Sequence, residues 1–384
     1  MYKWIIIGGG VQGCCVATRL LENGVNKKEM LVIDTYPEPM YMWQTLTAKT
    51  GMPYLRSPSV HHLGADPFSL KKYSRHQDYA RPFKGRYARP RLDMFNQHSM
   101  DEMNKVGIQR CWRQGTVKEL TWSNGCWEVK TSNNQVVRGE CVVLAMGVNH
   151  QAHYPEWACP YKKAATISHV FDMETPLPHE GDIVIVGGGM TAAHLAYTLS
   201  DKNTIHSVTL VKRHPFRIKD FDSDPGWLGP KNLRNYQKMN CYSERRKVIQ
   251  EARHRGSITS ELHVKLRKQV RNGKLTIITE EIHGAKTIDD TVELFVTNDK
   301  SISGHSLILA TGAESRLPGE EWLKKTIKQW DLPCSSCGFP IVSSSLKWKR
   351  GLYVAGALAE LEIGPVSRNI AGARKAAERI AYNL

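Results

Sequence analysis

Lys3-Trp4-Ile5-Ile6-Ile7-Gly8-Gly9-Gly10-Val11-Gln12-Gly13 runs an apolar stretch straight into three consecutive glycines. Apolar residues without alternation predict a strand buried on both faces, as in a parallel sheet. A helical pattern continues from Val11 to about Asn23, so the glycines form a turn between strand and helix. Such a turn lets backbone N–H groups approach a diphosphate, and the helix N-terminus adds partial positive charge. Glycines alone are weak evidence. Here a second apolar strand, Met30 to Asp34, follows and ends on a carboxylate suited to ribose hydroxyls. Gly8, Gly10, Gly13 and Asp34 are therefore candidate dinucleotide contacts.

The unit recurs about 180 residues later. Asp182 to Val186 leads into Gly187-Gly188-Gly189-Met190-Thr191-Ala192, a helix to about Ser200, and the strand Val208 to Lys212. Each half closes on a similar run, Val142 to Gly147 and Leu307 to Gly312. The pattern predicts an α/β fold of two Rossmann-like three-layer domains, each with a β-meander. One meander is expected from Ile108 to Val137, with Asn124-Gly125 as a hairpin turn, and the other over Leu275 to Ile278 and Thr291 to Val296. The strand around Leu352 to Val354 and a helix from about Pro365 to the C-terminus should complete the first domain. The expected boundaries are 1–165 with 316–384 for one domain and 166–315 for the other. A mostly helical insertion is expected over about 214–271.

The two units differ where the second strand ends. The later one ends Lys212-Arg213-His214 where the earlier has Asp34. A carboxylate would repel an extra phosphate, whereas Lys and Arg pair with it through charge-assisted bonds of about 1.5–3 kcal/mol. NADPH is therefore expected at the second site, with Gly187, Gly189, Met190, Thr191, Lys212, Arg213 and Gly312 around it. Two such sites on one chain divide the work simply, with resident FAD at the first and hydride delivered from the second. Gly147, Gly356, Ala357 and Pro365 are the remaining candidate flavin neighbours.

Composition bounds the alternatives. The chain has 384 residues, 41% hydrophobic and 23% charged, with a formal charge of +16. No run of about 18 apolar residues and no signal-peptide order occurs, so the expectation is a cytoplasmic protein without a membrane partner. Nine scattered cysteines do not read as a disulfide framework, and Cys14, Cys15 and Cys141 read as small buried hydrophobes. The basic runs Arg245-Arg246-Lys247 and Lys265 to Lys274 lack interleaved aromatics and read as solvated helix faces, so nucleic acid is not an expected partner. No metal is expected, and homo-oligomerisation is left open.

The glycine turns, the Ala-x-Gly runs and the terminal Gly351-Leu352-Tyr353-Val354-Ala355-Gly356 strand resemble those of two-Rossmann flavin-dependent monooxygenases. The likeness spans nearly the whole chain and is nearest to the N-hydroxylating lysine and ornithine monooxygenases. Trp43 and Gly51-Met52-Pro53-Tyr54-Leu55-Arg56-Ser57-Pro58 resemble the segment that runs beside the flavin in that family and carries a cationic substrate contact. Trp43, Met52 and Arg56 are the catalytic-site candidates that this resemblance implies. It also implies an NADPH-dependent monooxygenase that uses dioxygen and a flavin hydroperoxide on the nitrogen or sulfur of a small molecule. The family's substrate-holding Asn-Glu pair is replaced by Asp220-Phe221-Asp222-Ser223-Asp224, and Ala357 stands where an acid is usual.

Two other functions fit the residues. A flavin disulfide or thiol reductase would use Cys334-Ser335-Ser336-Cys337 as its redox pair, the thiolate being reactive. A flavin-containing redox-sensing module would bind a partner through its basic surface. His169 reads as a structural histidine.

Overall fold

The computed structural model describes residues 1–148, 151–297 and 300–382. Its first sheet has eight strands. Lys347–Lys349, Leu352–Val354, Val136–Leu144, Tyr2–Ile7, Met30–Asp34 and Trp112–Gln114 lie side by side, and the hairpin of Val117–Ser123 and Cys126–Thr131 extends from Val136–Leu144. Tyr2–Ile7 is central, with Ile6 opposite Val32 on one side and Val143 on the other, both parallel. Ile5 and Ile6 are fully buried on opposite faces of the sheet. Ile6 lies under helix Val11–Glu22, which packs on helix Ile370–Ala381, and Ile5 lies beside Gly139 of the neighbouring strand.

A second sheet is parallel throughout, in the order Thr276–Thr279, Ile205–Lys212, Gly181–Val186, Ser306–Leu309 and Ile167–His169. A separate antiparallel sheet follows, formed by Ile282–Ile288, Thr291–Val296 and Lys300–Gly304. Both glycine turns sit at the carboxyl ends of their parallel strands, where open α/β sheets place ligands. Among the described residues no helix is long and apolar enough to cross a membrane.

Several local expectations are corrected. Leu275 to Ile278 is not meander. Thr276–Thr279 joins the parallel sheet, Ile278 opposite Val211, because helix Ser260–Arg271 returns the chain over helix Met190–Ser200. That helix is thus the sheet's own crossover and not part of the insertion. The first meander begins at Val117, since Ile108–Cys111 is a 3₁₀ turn and Trp112–Gln114 pairs with Met30–Asp34. The final helix starts at Ile370, not Pro365: Pro365–Arg368 is a 3₁₀ turn, and the Asn369 side chain caps the helix by accepting from Gly372 N at 2.9 Å. Cys141 is only half-buried, whereas Cys14 and Cys15 are fully enclosed.

Arg245 and Arg246 are not a solvated face either. Arg245 donates to Met239 O, Gln237 O and Leu361 O, and Arg246 pairs with the buried Glu360.

Burial holds His62, His169 and His194 neutral, each pushed down to about 4 by desolvation. An unfolded chain binds protons on these rings from about pH 6.5 downward, so stability is full above that pH and is lost toward pH 4. The melting temperature should therefore fall steadily across this window. A flat profile there would contradict the burial of these rings.

Candidate functional site

The first glycine turn is held from below. Asp34 accepts from Gly9 N at 2.5 Å through one carboxylate oxygen and from Tyr36 N at 2.9 Å through the other. Gly8 has φ +102°, and a Cβ on it would sit 2.7 Å from Ala145 O. Gly13 is tighter still, since a Cβ there would come within 1.7 Å of Gly8 O. A Cβ on Gly10 would meet nothing within 4 Å, so its backbone faces open space. Gly147 is exposed beyond the neighbouring strand end. Gln12 ties this turn to the tail by donating to Ser367 O at 3.1 Å and Asn369 O at 3.2 Å. Gly356 packs beside the Gln12 side chain, and Ala357 and Pro365 lie buried in the same tail segment.

The residues present fit a flavin dinucleotide here. Gln12 Oε1 is buried without a hydrogen-bond partner among the described residues, an acceptor that a bound polyol or amide would satisfy. Each Asp34 oxygen retains a lone pair for a ribose hydroxyl.

The second turn opens into a cavity of about 980 Å³. Gly187, Gly189, Met190, Thr191, Lys212, Arg213 and Gly312, all anticipated around NADPH, line it together. The two basic residues are not equivalent, however. Lys212 is 6% exposed, donates to His214 O at 3.2 Å and to Thr279 Oγ1, and lies 4.8 Å over the Phe216 ring. Burial lowers its ammonium pKa. Arg213 is exposed on the cavity wall and is the one of the pair free to meet a phosphate. Arg217, Arg253, Arg255 and Arg368 line the same space and were not anticipated. Only Arg217, in the same basic run as Arg213, carried a local signal.

Trp43, Met52 and Arg56 do not line this cavity. Trp43 Nε1 donates to Asn96 Oδ1 at 3.0 Å, with its ring 5.7 Å from that of Phe95. Met52 is half-buried against the first core. Arg56 donates to Asp220 O, Lys219 O, Phe221 O and Ser257 Oγ at 2.6–3.0 Å, so in this structure it clamps the insertion instead of facing an open substrate site. Helix Tyr41–Thr50, just before this segment, packs on helix Met190–Ser200, which places it between the two glycine units.

His169 is 2% exposed, with Nε2 3.2 Å from Thr311 Oγ1 and Nδ1 accepting from Phe171 N at 3.0 Å. Both ring nitrogens are engaged within the fold. Cys334 and Cys337 sit in a turn where Ser335 Oγ is 2.9 Å from Cys337 Sγ. Burial, with Cys337 nearby, pushes the Cys334 thiol up to about 11. Neither cysteine lines the cavity.

Comparison with known proteins agrees with this architecture. The reduced ornithine hydroxylase of Pseudomonas aeruginosa superposes with TM-score 0.78 at 16% identity, over 100% of this chain and 98% of that one. The ornithine N-hydroxylase of Kutzneria sp. 744, solved with reduced FAD, NADP⁺ and L-ornithine, gives 0.78 at 14% identity over the same shares. The bacillithiol disulfide reductase of Bacillus cereus gives 0.63 at 15% identity, again over 100% and 98%. At these identities the likeness shows the fold alone. None of the curated protein sequences matches the chain. The family model for pyridine nucleotide-disulphide oxidoreductases matches residues 2–226, and by that match over more than half its length the chain belongs to the pyridine nucleotide-disulphide oxidoreductase family of FAD- and NAD(P)-dependent oxidoreductases.

Proposed function

We propose that this chain is an NADPH-dependent FAD monooxygenase that oxygenates a nitrogen or sulfur of a small molecule with dioxygen. FAD is assigned to residues 1–165 with 316–384, and NADPH to 166–315. The observation that carries the reading is the pairing of an acid-backed glycine turn with a second turn opening into a basic-walled cavity. The flavin supplies the hydride and oxygen chemistry. The chain's own part is to bind and orient. Gly8, Gly10 and Gly13 bring backbone and helix to the flavin diphosphate, and Asp34 holds the turn. Gln12 locks the tail segment Gly356–Asn369 beside it. Arg213 and the Gly187–Gly189 turn take the NADPH phosphates. Trp43 and Met52 pack against the core of the first unit, while Arg56 fixes the Lys219–Phe221 segment.

The fold likeness to the two ornithine hydroxylases favours oxygenation, and the raised Cys334 thiol disfavours dithiol chemistry. The Cys334→Ser, Cys337→Ser double variant should therefore keep NADPH turnover within about twofold of the parent. Loss of turnover would assign the pair a redox role. The reading itself is tested by turning over amine and sulfide panels under ¹⁸O-labelled dioxygen. Label in an organic product is expected. NADPH consumption that yields only hydrogen peroxide or water across both panels would contradict oxygenation.

A further inference from the structure

Part of the cavity wall is crowded with cations. Arg253, Arg255 and Arg368 line it, and none of the three belongs to the basic strand end at Lys212 and Arg213. Arg246 lies behind them, paired with Glu360, which also accepts from Arg368 Nε at 2.7 Å. Among the described residues, the carboxylates paired or electrostatically coupled with these four guanidiniums are Glu360, 1% exposed and shared between two of them, and Asp222, a neighbour of Arg253. Glu156, Glu280, Glu281 and Glu314 line the same cavity without an ion pair to them among the described residues. One terminal nitrogen of Arg368 is buried with no partner among the described residues. No hydrogen bond joins the Arg253 side chain to a described acceptor, and Arg368 and Arg255 repel it. Burial pushes Arg253 and Arg368 each down to about 10. Like charges taken out of water without counterions are costly unless an anion compensates them.

The pole borders the glycine turn on one side, since a Cβ on Gly189 would lie 3.5 Å from the Cα of Gly256, next to Arg255. At the glycine end, Lys212 and His214 sit beside Gly188, 3.7 and 3.6 Å from where its Cβ would lie. Arg368, in contrast, comes from the tail between Ser367 and Asn369, whose carbonyls receive the Gln12 amide from the first glycine helix. Arg253 is set by the insertion through the Ser223–Arg253 bridge, in the segment that Arg56 clamps. The two arginines therefore converge from tail and insertion at the junction of the units. Guanidiniums present forks that match carboxylate or phosphate oxygens.

We propose that Arg253 and Arg368, with Arg255 beside them, bind the oxyanion of the molecule to be oxidised, a carboxylate or a phosphate borne by the amine or sulfide substrate. The proposal rests on the nucleotide reading only in that NADPH occupies the glycine-turn end of the cavity.

The test is thermal unfolding of flavin-loaded protein saturated with NADP⁺, titrated with succinate and, separately, with inorganic phosphate. At least one oxyanion should raise the melting temperature beyond the NADP⁺ effect, and the one that does names the source. Arg253→Met should abolish that extra rise while leaving NADP⁺ affinity within about twofold, and without added anion should melt no lower than the parent. Arg253→Lys keeps the charge but loses the fork, and should respond roughly several-fold more weakly. No extra rise in the parent, an undiminished response in both variants, or a loss of about tenfold in NADP⁺ affinity in Arg253→Met would each overturn the site. If the parent itself fails to bind NADP⁺, the nucleotide reading falls. The oxyanion titration of the same samples then decides the arginine site alone: a response lost in Arg253→Met supports it and a response retained overturns it.

Discussion

Arg213→Ala should lower kcat/KM for NADPH by about tenfold to a hundredfold while changing that for NADH by less than about threefold. The figure is one charge-assisted contact of about 1.5–3 kcal/mol converted at about 1.4 kcal/mol per decade. Arg213 is the residue to replace because it stands exposed on the cavity wall. Lys212 is the wrong choice. Its ammonium is buried and bonded to His214 O and Thr279 Oγ1, so its loss leaves a cavity and two unpaired acceptors whatever the cofactor. Steady-state rates with the two nucleotides decide the matter. An unchanged ratio would mean that the 2′-phosphate is bound elsewhere or that NADH is the natural donor.

The largest loss is expected at Gly13. A methyl group there falls 1.7 Å from Gly8 O and 2.9 Å from Gly8 C, both backbone atoms that cannot swing aside. Gly13→Ala must lift helix Val11–Glu22 off its strand, at a cost on the order of 3 kcal/mol or more. The purified variant should be colourless and melt well below the parent. Gly10→Ala is the matched control, because its Cβ would meet nothing within 4 Å. That variant should keep the parent's apoprotein stability while binding flavin more weakly, since the methyl group enters the space left for the diphosphate. Flavin stoichiometry and calorimetry on both variants give the answer. Full flavin content in Gly13→Ala would remove the close helix–strand contact from the account.

Much of the frame was readable from local pattern, for identifiable reasons. A triple-glycine turn between a fully apolar strand and a helix has few other uses, and the second copy repeats every part except its terminal acid. Where the pattern failed, two physical solutions shared one sequence signal. Leu275 to Ile278 reads as a short apolar strand whether it pairs in a meander or beside Ile205–Lys212, and only helix Ser260–Arg271 packing on its neighbour selects the parallel place. Pro365 and Asn369 are both good helix starts, and the Asn369 cap decides between them. Arg56 illustrates a different limit. Resemblance located it in the chain, but its partners are carbonyls more than 160 residues away, at Lys219, Asp220 and Phe221. The Arg253–Arg368 convergence was illegible for the same reason, since a tail residue and an insertion residue carry no shared local mark.

Glu261, on the crossover helix of the second sheet, pairs with Lys84 at 2.6 Å and with Arg89, which precede the helix Leu92–Val106 of the first unit. Those partners hold its carboxyl down to about 2 despite partial burial. The two units are thus tied by charge across the same region that Arg56 and helix Tyr41–Thr50 bridge.

The central claim is that the two glycine turns hold a flavin and a nicotinamide dinucleotide close enough for hydride to pass between them. It is tested most directly by mixing FAD-loaded protein with NADPH in the absence of oxygen and following the flavin's visible absorbance. The account predicts stoichiometric bleaching, faster with NADPH than with NADH. Flavin that stays oxidised in excess NADPH, or protein that takes up no flavin at all, would contradict it.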